Sequence, residues 1–437
     1  MVDIDKEFDE ATNYTFDDRD IERAKLLLGV DVAKKQLEHI STASYDSIRN
    51  FAWGVGDDNP LYGDEHYGET TRWGSQIAPN SMAQIIGAPM LGDPMPEDVK
   101  QQTKGLFRGI HVFVSGGSTQ WYRPVYPGDR LFAFGGEETL EVKDSEFAGQ
   151  SVIQVSREVK VNQRGEVVYV HRVLRVLTER KAARERGKYS QIEPTQYTDE
   201  DIERIDAIYA AEQRRGAEPR YWEDVEIGDE LPPMVKGPLT TTEVVAFHAG
   251  GYGFVPYGLK SSRLAYLNRK RIAPFFVKNE QGVPDVAQRL HWDSAWAQAI
   301  GNPMAYDYGV MRETWFHHYA TDWAGDDAFV IEQRDSIRKF NYHGDVQFLS
   351  GEIVDKREEN GLTVVDVKMK MTNQRDVETA FADVTISLPS RTNGQAVLLA
   401  PPTDVVRRSG AMWERHLELS AQRTRASATA QPSRTGR

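Results

Sequence analysis

Hydrophobic and polar positions follow two different periods along this chain, and the change of period predicts its elements. Residues 43–54 and 239–250 each open with Ser or Thr near an acidic residue and continue at helical spacing. Longer, more apolar helices are predicted over 79–91 and 305–323. Three segments of alternating or β-branched residues follow each pair of helices. These segments are 130–144, 151–163 and 166–180, and then 345–356, 362–374 and 379–389. The pattern predicts an α+β fold in which an antiparallel sheet wraps a long helix, twice.

The two halves of this pattern are copies of one another. Phe51 corresponds to Phe247, and Gly54 to Gly250, at an offset of 196 residues, whereas the next match, of Leu61 with Leu290, has an offset of 229. The change of offset predicts an insertion of 33 residues in the second copy, at 252–284. This segment is rich in Lys and Arg, so it is either a solvated surface loop or a lid or phosphate-binding flap, with Arg263 as a candidate ligand of phosphate.

These observations divide the chain into five parts. We predict an N-terminal extension, a first module, a charged helical linker, a second module with the insertion, and a C-terminal tail that is disordered toward its end. The predicted bounds are 1–40, 41–180, 181–219, 220–395 and 396–437.

Composition and charge exclude several classes of function. The 437 residues include no cysteine, which rules out disulfides, thiolate catalysis, Fe–S clusters and Cys-type zinc sites. A net charge of −13 argues against nucleic acid as a partner, which needs clustered Lys and Arg. No run of 18 apolar residues predicts a membrane span, and the acidic start does not resemble a signal peptide. We therefore expect a cytoplasmic protein.

Residues 56–74, GDDNPLYGDEHYGETTRWG, resemble the signature of the MaoC-like dehydratases, the family of the (R)-specific enoyl-CoA hydratases. Residues 121–131 and 162–168 resemble strand motifs of that family, and 221–247 resemble the start of a second such module. The resemblance implies a double hot-dog fold, with an acyl-CoA thioester bound where the two sheets join. It implies hydration of a 2-enoyl-CoA, or dehydration of a 3-hydroxyacyl-CoA, by a hydro-lyase that uses no cofactor and no metal. A homodimer or a heteromeric partner subunit is expected.

That chemistry needs a carboxylate and an imidazole that share one water molecule. The first copy has Asp57 and Asn59 in the motif, but Tyr62 stands where the family has histidine. The second copy has His291 at the histidine position, and its nearest acid, Asp285, is one residue out of register beside the insertion. Three interpretations stay open: a site of His291 with Asp285, a site of Asp57 with Tyr62, or a chain that needs a partner subunit or only binds acyl groups.

The resemblance further implies that backbone amides around Tyr308 and Gly309 bind the thioester oxygen, since the amides at the start of a long helix favour negative charge. Each candidate also has an ordinary structural interpretation, Asp57 as a turn residue and His291 as a core histidine. The pair at 317–318 has only Asp322 at helical spacing, so no metal site is predicted there. The alternatives to a hydratase are a non-catalytic acyl-CoA-binding partner of a heteromeric hydratase and a hot-dog thioesterase.

Overall fold

A computed structural model describes residues 17–107, 110–145, 149–178, 192–252, 259–299, 302–359 and 361–430. Its twelve described strands are β1 Val32–Ala33, β2 His111–Trp121, β3 Leu131–Ser145, β4 Gly149–Asn162, β5 Val167–Thr178, β6 Met234–Lys236, β7 Phe276–Lys278, β8 Pro284–Val286, β9 Phe329–Ile337, β10 Gln347–Glu359, β11 Leu362–Asn373 and β12 Glu378–Ser387.

The helices lie between and after these strands. They are α1 Asp18–Lys25, α2 Tyr45–Val55, α3 Pro60–Gly63, α4 Glu65–Thr70, α5 Glu97–Gln102, α6 Asp199–Ala211, α7 Thr241–Phe247, α8 Ser262–Arg271, α9 Ser294–Ala299, α10 Gly309–Ala324 and α11 Thr403–Ala430. None of these helices combines the length and the apolar composition that crossing a bilayer would require.

Ten of the strands form one antiparallel sheet in the order β1-β3-β4-β5-β2-β9-β12-β11-β10-β6. The five strands of the first module and the five of the second therefore meet where β2 pairs with β9, for example at Gly117 and Asp335. The predicted α+β class, with two similar modules joined edge to edge, is confirmed. The remaining strands, β7 and β8, form a hairpin of their own that begins in the predicted insertion and ends just after it.

The helices that the two sheets wrap are unequal. Helix α10 has 16 residues and is buried along almost its whole length. In the first module, the helix predicted over 79–91 is reduced to a six-residue 3-10 helix, Asn80–Ile85. Lys160 of β4, which is fully buried, donates to the carbonyls of Ala83, Gln84 and Ile86 at 2.9, 2.7 and 2.8 Å. These carbonyls would otherwise accept the amides of the next turn, so the lysine ends the helix.

Equivalent glycines of the two copies contact each other. A Cβ on Gly54 in α2 would lie 2.7 Å from the Cα of Gly250, and a Cβ on Gly250 would lie 2.6 Å from the Cα of Gly54. The two modules thus cross backbone against backbone here, and their local pseudo-twofold axis passes between the two glycines.

Three features differ from the predicted ones. Strand β2, which has an irregularity between Val114 and Gly116, was not predicted. The C-terminal tail, expected to be disordered toward its end, forms α11 as far as Ala430, where Trp413 and His416 pack on Phe132 at ring distances of 5.1 and 4.9 Å; residues 431–437 lie outside the described ones. Strand β9 was not predicted. Of the predicted linker and insertion, 181–191 and 253–258 lie outside the described residues.

Candidate active site

A cavity of about 870 Å³ lies between the two modules. The second module contributes the loop before α10 and the first turn of that helix, including His291, Tyr308 and Gly309. The first module contributes the faces of β3, β4 and β5. The cavity occupies the side of the first sheet on which the shortened helix leaves room. Its volume is in the range of small-molecule and cofactor sites.

His291 lines this cavity in one defined tautomer. Its Nδ1 lies 2.9 Å from the carbonyl oxygen of Tyr306. Because a carbonyl only accepts, Nδ1 carries the proton and Nε2 keeps its lone pair. The ring packs on the ring of Tyr308 at 3.8 Å between centroids. Burial lowers the pKa of His291 to about 4, so the imidazole is neutral at pH 7 and can act as a base.

Tyr308 and Gly309 begin the long helix beside His291. The Tyr308 hydroxyl lies 2.8 Å from Nε2 of Gln288 and 3.0 Å from Nε2 of His248, which holds its ring in place. A Cβ on Gly309 would lie 2.9 Å from Cδ1 of Ile337, so the backbone at this position leaves no room for a side chain. The first amides of α10 have no acceptor within the helix, which leaves them available to an anionic oxygen.

The structure directs Asp285 away from this histidine. Its Oδ2 accepts from Nη1 of Arg289 at 3.0 Å, and its Oδ1 accepts from the amide of Val286 at 2.7 Å. The carboxylate is thus engaged by its own segment rather than by His291. Arg263, the other candidate from the insertion, is exposed on α8 and is not among the residues that line the cavity.

A different carboxyl group, Glu313, faces the same cavity. It lies one turn after Gly309 on α10, and only 6% of the residue is exposed. Burial raises the pKa of Glu313, although a hydrogen bond with Gln84 opposes the shift, and the carboxyl group of Asp335 nearby is buried and raised in pKa as well. The sequence analysis missed this residue. Its signal is an acid four positions after the glycine, in a stretch that is otherwise largely aromatic and apolar.

The motif of the first copy is buried instead of lining a large cavity. Asn59 caps α3 through the amide of Leu61 at 2.9 Å and donates to Asp326 at 3.0 Å. Tyr62 is 5% exposed. The cavity beside Asn59 and Tyr62 measures only about 20 Å³, since the end of α10 fills the space. A thioester has no room there.

Asp57 belongs to a buried cluster of charges. Nε2 of His318 lies 3.7 Å from Oδ1 of Asp57 and 3.3 Å from Oδ2 of Asp322. These three ligand atoms lie within 4.8 Å of one another, so the donor set and spacing would suit a metal ion. However, Nζ of Lys236 lies 2.8 Å from Nδ1 of the same histidine. Burial lowers the pKa of Lys236 and raises the pKa of both Asp57 and Asp322, so desolvation favours the neutral form of each of these groups.

Comparisons with known proteins agree with this architecture. Residues 29–171 match the family model described as the FAS1-like dehydratase domain region. A solved structure described as a MaoC-like dehydratase aligns with a TM-score of 0.55 at 14% identity, over 84% of this chain and 99% of that one. A putative MaoC domain protein dehydratase from Chloroflexus aurantiacus aligns with a TM-score of 0.47 at 11% identity, over 83% and 96% of the two chains.

A conserved hypothetical protein from Mycobacterium tuberculosis, described as having a double hot-dog fold, aligns with a TM-score of 0.46 at 10% identity, over 82% of this chain and 96% of that one. No curated protein matches the chain. The predicted resemblance to the MaoC-like dehydratases, and with it the double hot-dog fold, is confirmed. At these identities the structural likeness establishes the fold, and activity has to be argued from the site.

Proposed function

We propose that this chain is an acyl-CoA hydratase or dehydratase whose reaction takes place in the cavity between the modules. The observation that supports this most is that His291, the first turn of α10 at Gly309, and Glu313 all line one cavity. A base, an acid and backbone donors for a developing oxyanion are the groups that addition of water to a 2-enoyl thioester needs.

The protonation states assign a role to each group. At pH 7 His291 is neutral, so it takes a proton from water while the water oxygen bonds to C3 of the enoyl group. The π bond breaks, and Glu313, in its protonated form, gives a proton to C2. Between the attack on C3 and the protonation of C2 the thioester oxygen carries the negative charge, and the amide of Gly309 donates to it. Return of the proton from the imidazolium to the carboxylate through solvent restores both groups, and dehydration follows the reverse path.

The edge of the cavity suits the nucleotide end of coenzyme A. Arg338 and Lys339 follow β9, line the cavity, and are exposed to solvent. Exposed cations at the mouth of a cavity attract phosphate groups and leave them hydrated. The thioester would thus enter with its phosphates at these residues and its acyl group inside.

The test is to incubate the chain with a panel of 2-enoyl-CoA thioesters while two signals are recorded, loss of enoyl absorbance and release of free thiol. We expect loss of absorbance, a 3-hydroxyacyl-CoA product and no thiol. Release of thiol would instead indicate a thioesterase. Binding of the thioesters without either signal would contradict a stand-alone enzyme and favour an acyl-CoA-binding partner of a heteromeric hydratase.

A further inference from the structure

The face of the first sheet that its shortened helix leaves uncovered is polar. Along β5, Tyr169, His171, Val173 and Arg175 alternate onto the side that lines the cavity. Their partners on β4 continue the polar surface, because Glu158 pairs with His171, and Ser156 with Val173. A hydrocarbon tail laid against these groups would remove their hydration without replacing their hydrogen bonds, whereas Val112, Phe113 and Val310 give other parts of the cavity an apolar lining.

Most cations of this face already have a carboxylate partner. Lys34 pairs with Glu158. Arg157 binds Asp31 at 2.6 Å and Glu138 at 3.1 Å.

Arg175 differs from them. Its guanidinium donates to the hydroxyl of Ser156, and among the described residues no carboxylate lies within ion-pair distance of it. A half-buried guanidinium with free donors and no carboxylate partner is a candidate for binding an anion.

The neighbourhood of Arg175 is electropositive. The pKa of His171 falls to about 3, first through burial and then through the positive charges of Lys34, Arg175 and Lys160. An imidazole in this position stays neutral and therefore does not compete with Arg175 for an incoming anion. Glu137 accepts from the Ser156 hydroxyl, so a carboxylate lies one hydrogen bond beyond the group that Arg175 contacts.

Arg175 is also within reach of the proposed reaction centre. It pairs with Val114 across β5 and β2. A Cβ on Gly309 would lie 3.8 Å from Cβ of Val114. Adjacent strands are about 4.8 Å apart, so a chain of a few carbons spans the distance from the first turn of α10 to Arg175.

We propose that Arg175 binds an anionic group of the substrate, and that this group is a carboxylate at the far end of the acyl chain. The inference rests on the proposed hydratase function and names its substrate class, an enoyl thioester with a charged acyl end. Coenzyme A offers a second source of anions in its phosphates. The acyl carboxylate is favoured because Arg175 lies inside the cavity, whereas Arg338 and Lys339 at its exposed edge suit phosphates.

The experiment compares two 2-enoyl-CoA thioesters of equal chain length, one ending in a carboxylate and one in a methyl group. For the wild-type chain we expect kcat/KM to be higher for the carboxylate. Arg175→Met should lower that value by about 10- to 100-fold and leave the methyl-ended substrate nearly unchanged, as loss of a charge-assisted hydrogen bond predicts. Arg175→Lys should recover part of the loss. Arg172→Met is the matched control, since Arg172 is on the same strand but pairs with Glu138 at 2.8 Å and is not among the cavity-lining residues.

Two further arms separate the outcomes. The same acyl groups on pantetheine lack the nucleotide phosphates. If Arg175→Met no longer lowers kcat/KM with the pantetheine thioesters, Arg175 binds a phosphate, and the proposal that it binds the acyl carboxylate is overturned. Equal turnover of both CoA thioesters by wild type and Arg175→Met would overturn the anion site and leave the hydratase intact. If neither thioester is hydrated, the proposed function fails. Equilibrium binding of the two thioesters to wild type and Arg175→Met then still decides whether Arg175 prefers the carboxylate.

Discussion

His291 and Glu313 have pKa values shifted in opposite directions, and burial is the largest cause of both shifts. The imidazole is held neutral with a pKa of about 4, and the carboxyl group of Glu313 keeps its proton to a higher pH than an exposed glutamate does. Desolvation always disfavours the charged form, which lowers the pKa of a base and raises that of an acid. One buried cavity thereby produces a free base and a protonated acid at the same pH, as acid–base catalysis requires.

Glu313→Gln should lower kcat by about 10²- to 10⁴-fold, because an amide cannot give a proton to C2. Thermal unfolding should change little, since the amide fills the same space. The matched control is Asp285→Asn, whose carboxylate binds Arg289 instead of lining the cavity. Steady-state hydration kinetics of the two variants check this assignment. A larger loss in Asp285→Asn than in Glu313→Gln would contradict it.

The pH dependence of kcat/KM follows from the same two groups. Glu313 must be protonated, and burial raises its pKa, so the rate should fall on the alkaline side as the carboxyl group ionises. His291 must be neutral, so the rate should also fall as pH drops through about 4. A profile measured from pH 4 to 9 should therefore decline on its alkaline side. A rate that rises through pH 7 would show that the ionised carboxylate, and not the acid, is the active form.

At the scale of elements, the contact between Gly54 and Gly250 joins the modules. Gly54→Ala should lower the free energy of unfolding by about 2 kcal/mol or more, because the new Cβ meets backbone that cannot move aside. Gly410→Ala on α11 is the matched control, since a Cβ there meets nothing within 4 Å. It should be neutral or stabilising by up to about 1 kcal/mol. Urea unfolding measures both changes, and equal stability of the two variants would refute the close crossing.

The elements that the sequence predicted are those with a strong local signal. The caps of α2 and α7 at Ser44 and Thr240, and the alternation of six strands, are properties of short segments. The length of the first module's helix is not determined by its local sequence, because Lys160, which lies far along the chain, ends this helix. The same holds for α11, whose polar sequence gives no periodic signal and which is ordered by aromatic packing on Phe132.

For the whole molecule, two copies of one pattern have taken different roles. The first copy keeps the Asp and Asn of the motif, yet Asp57 contacts His318 in α10 of the second module and Asn59 binds Asp326 just after that helix. The second copy lacks the Asp, yet its histidine lines the large cavity. His291 could be singled out from the sequence by its place in the repeat. Glu313 and Arg175 could not, because only the fold brings their helix and strand to the cavity that His291 lines.

The central claim is that the reaction takes place at His291, in the cavity between the modules, and not at the buried motif of the first module. The measurement that tests it most directly is kcat/KM for the hydration of a 2-enoyl-CoA thioester by the variants His291→Gln and Asp57→Asn. We predict a loss of at least about 100-fold in His291→Gln. Asp57→Asn should stay within about threefold of wild type, since an amide oxygen can still accept from the amide of Asn59. Activity that survives in His291→Gln and is lost in Asp57→Asn would contradict the account.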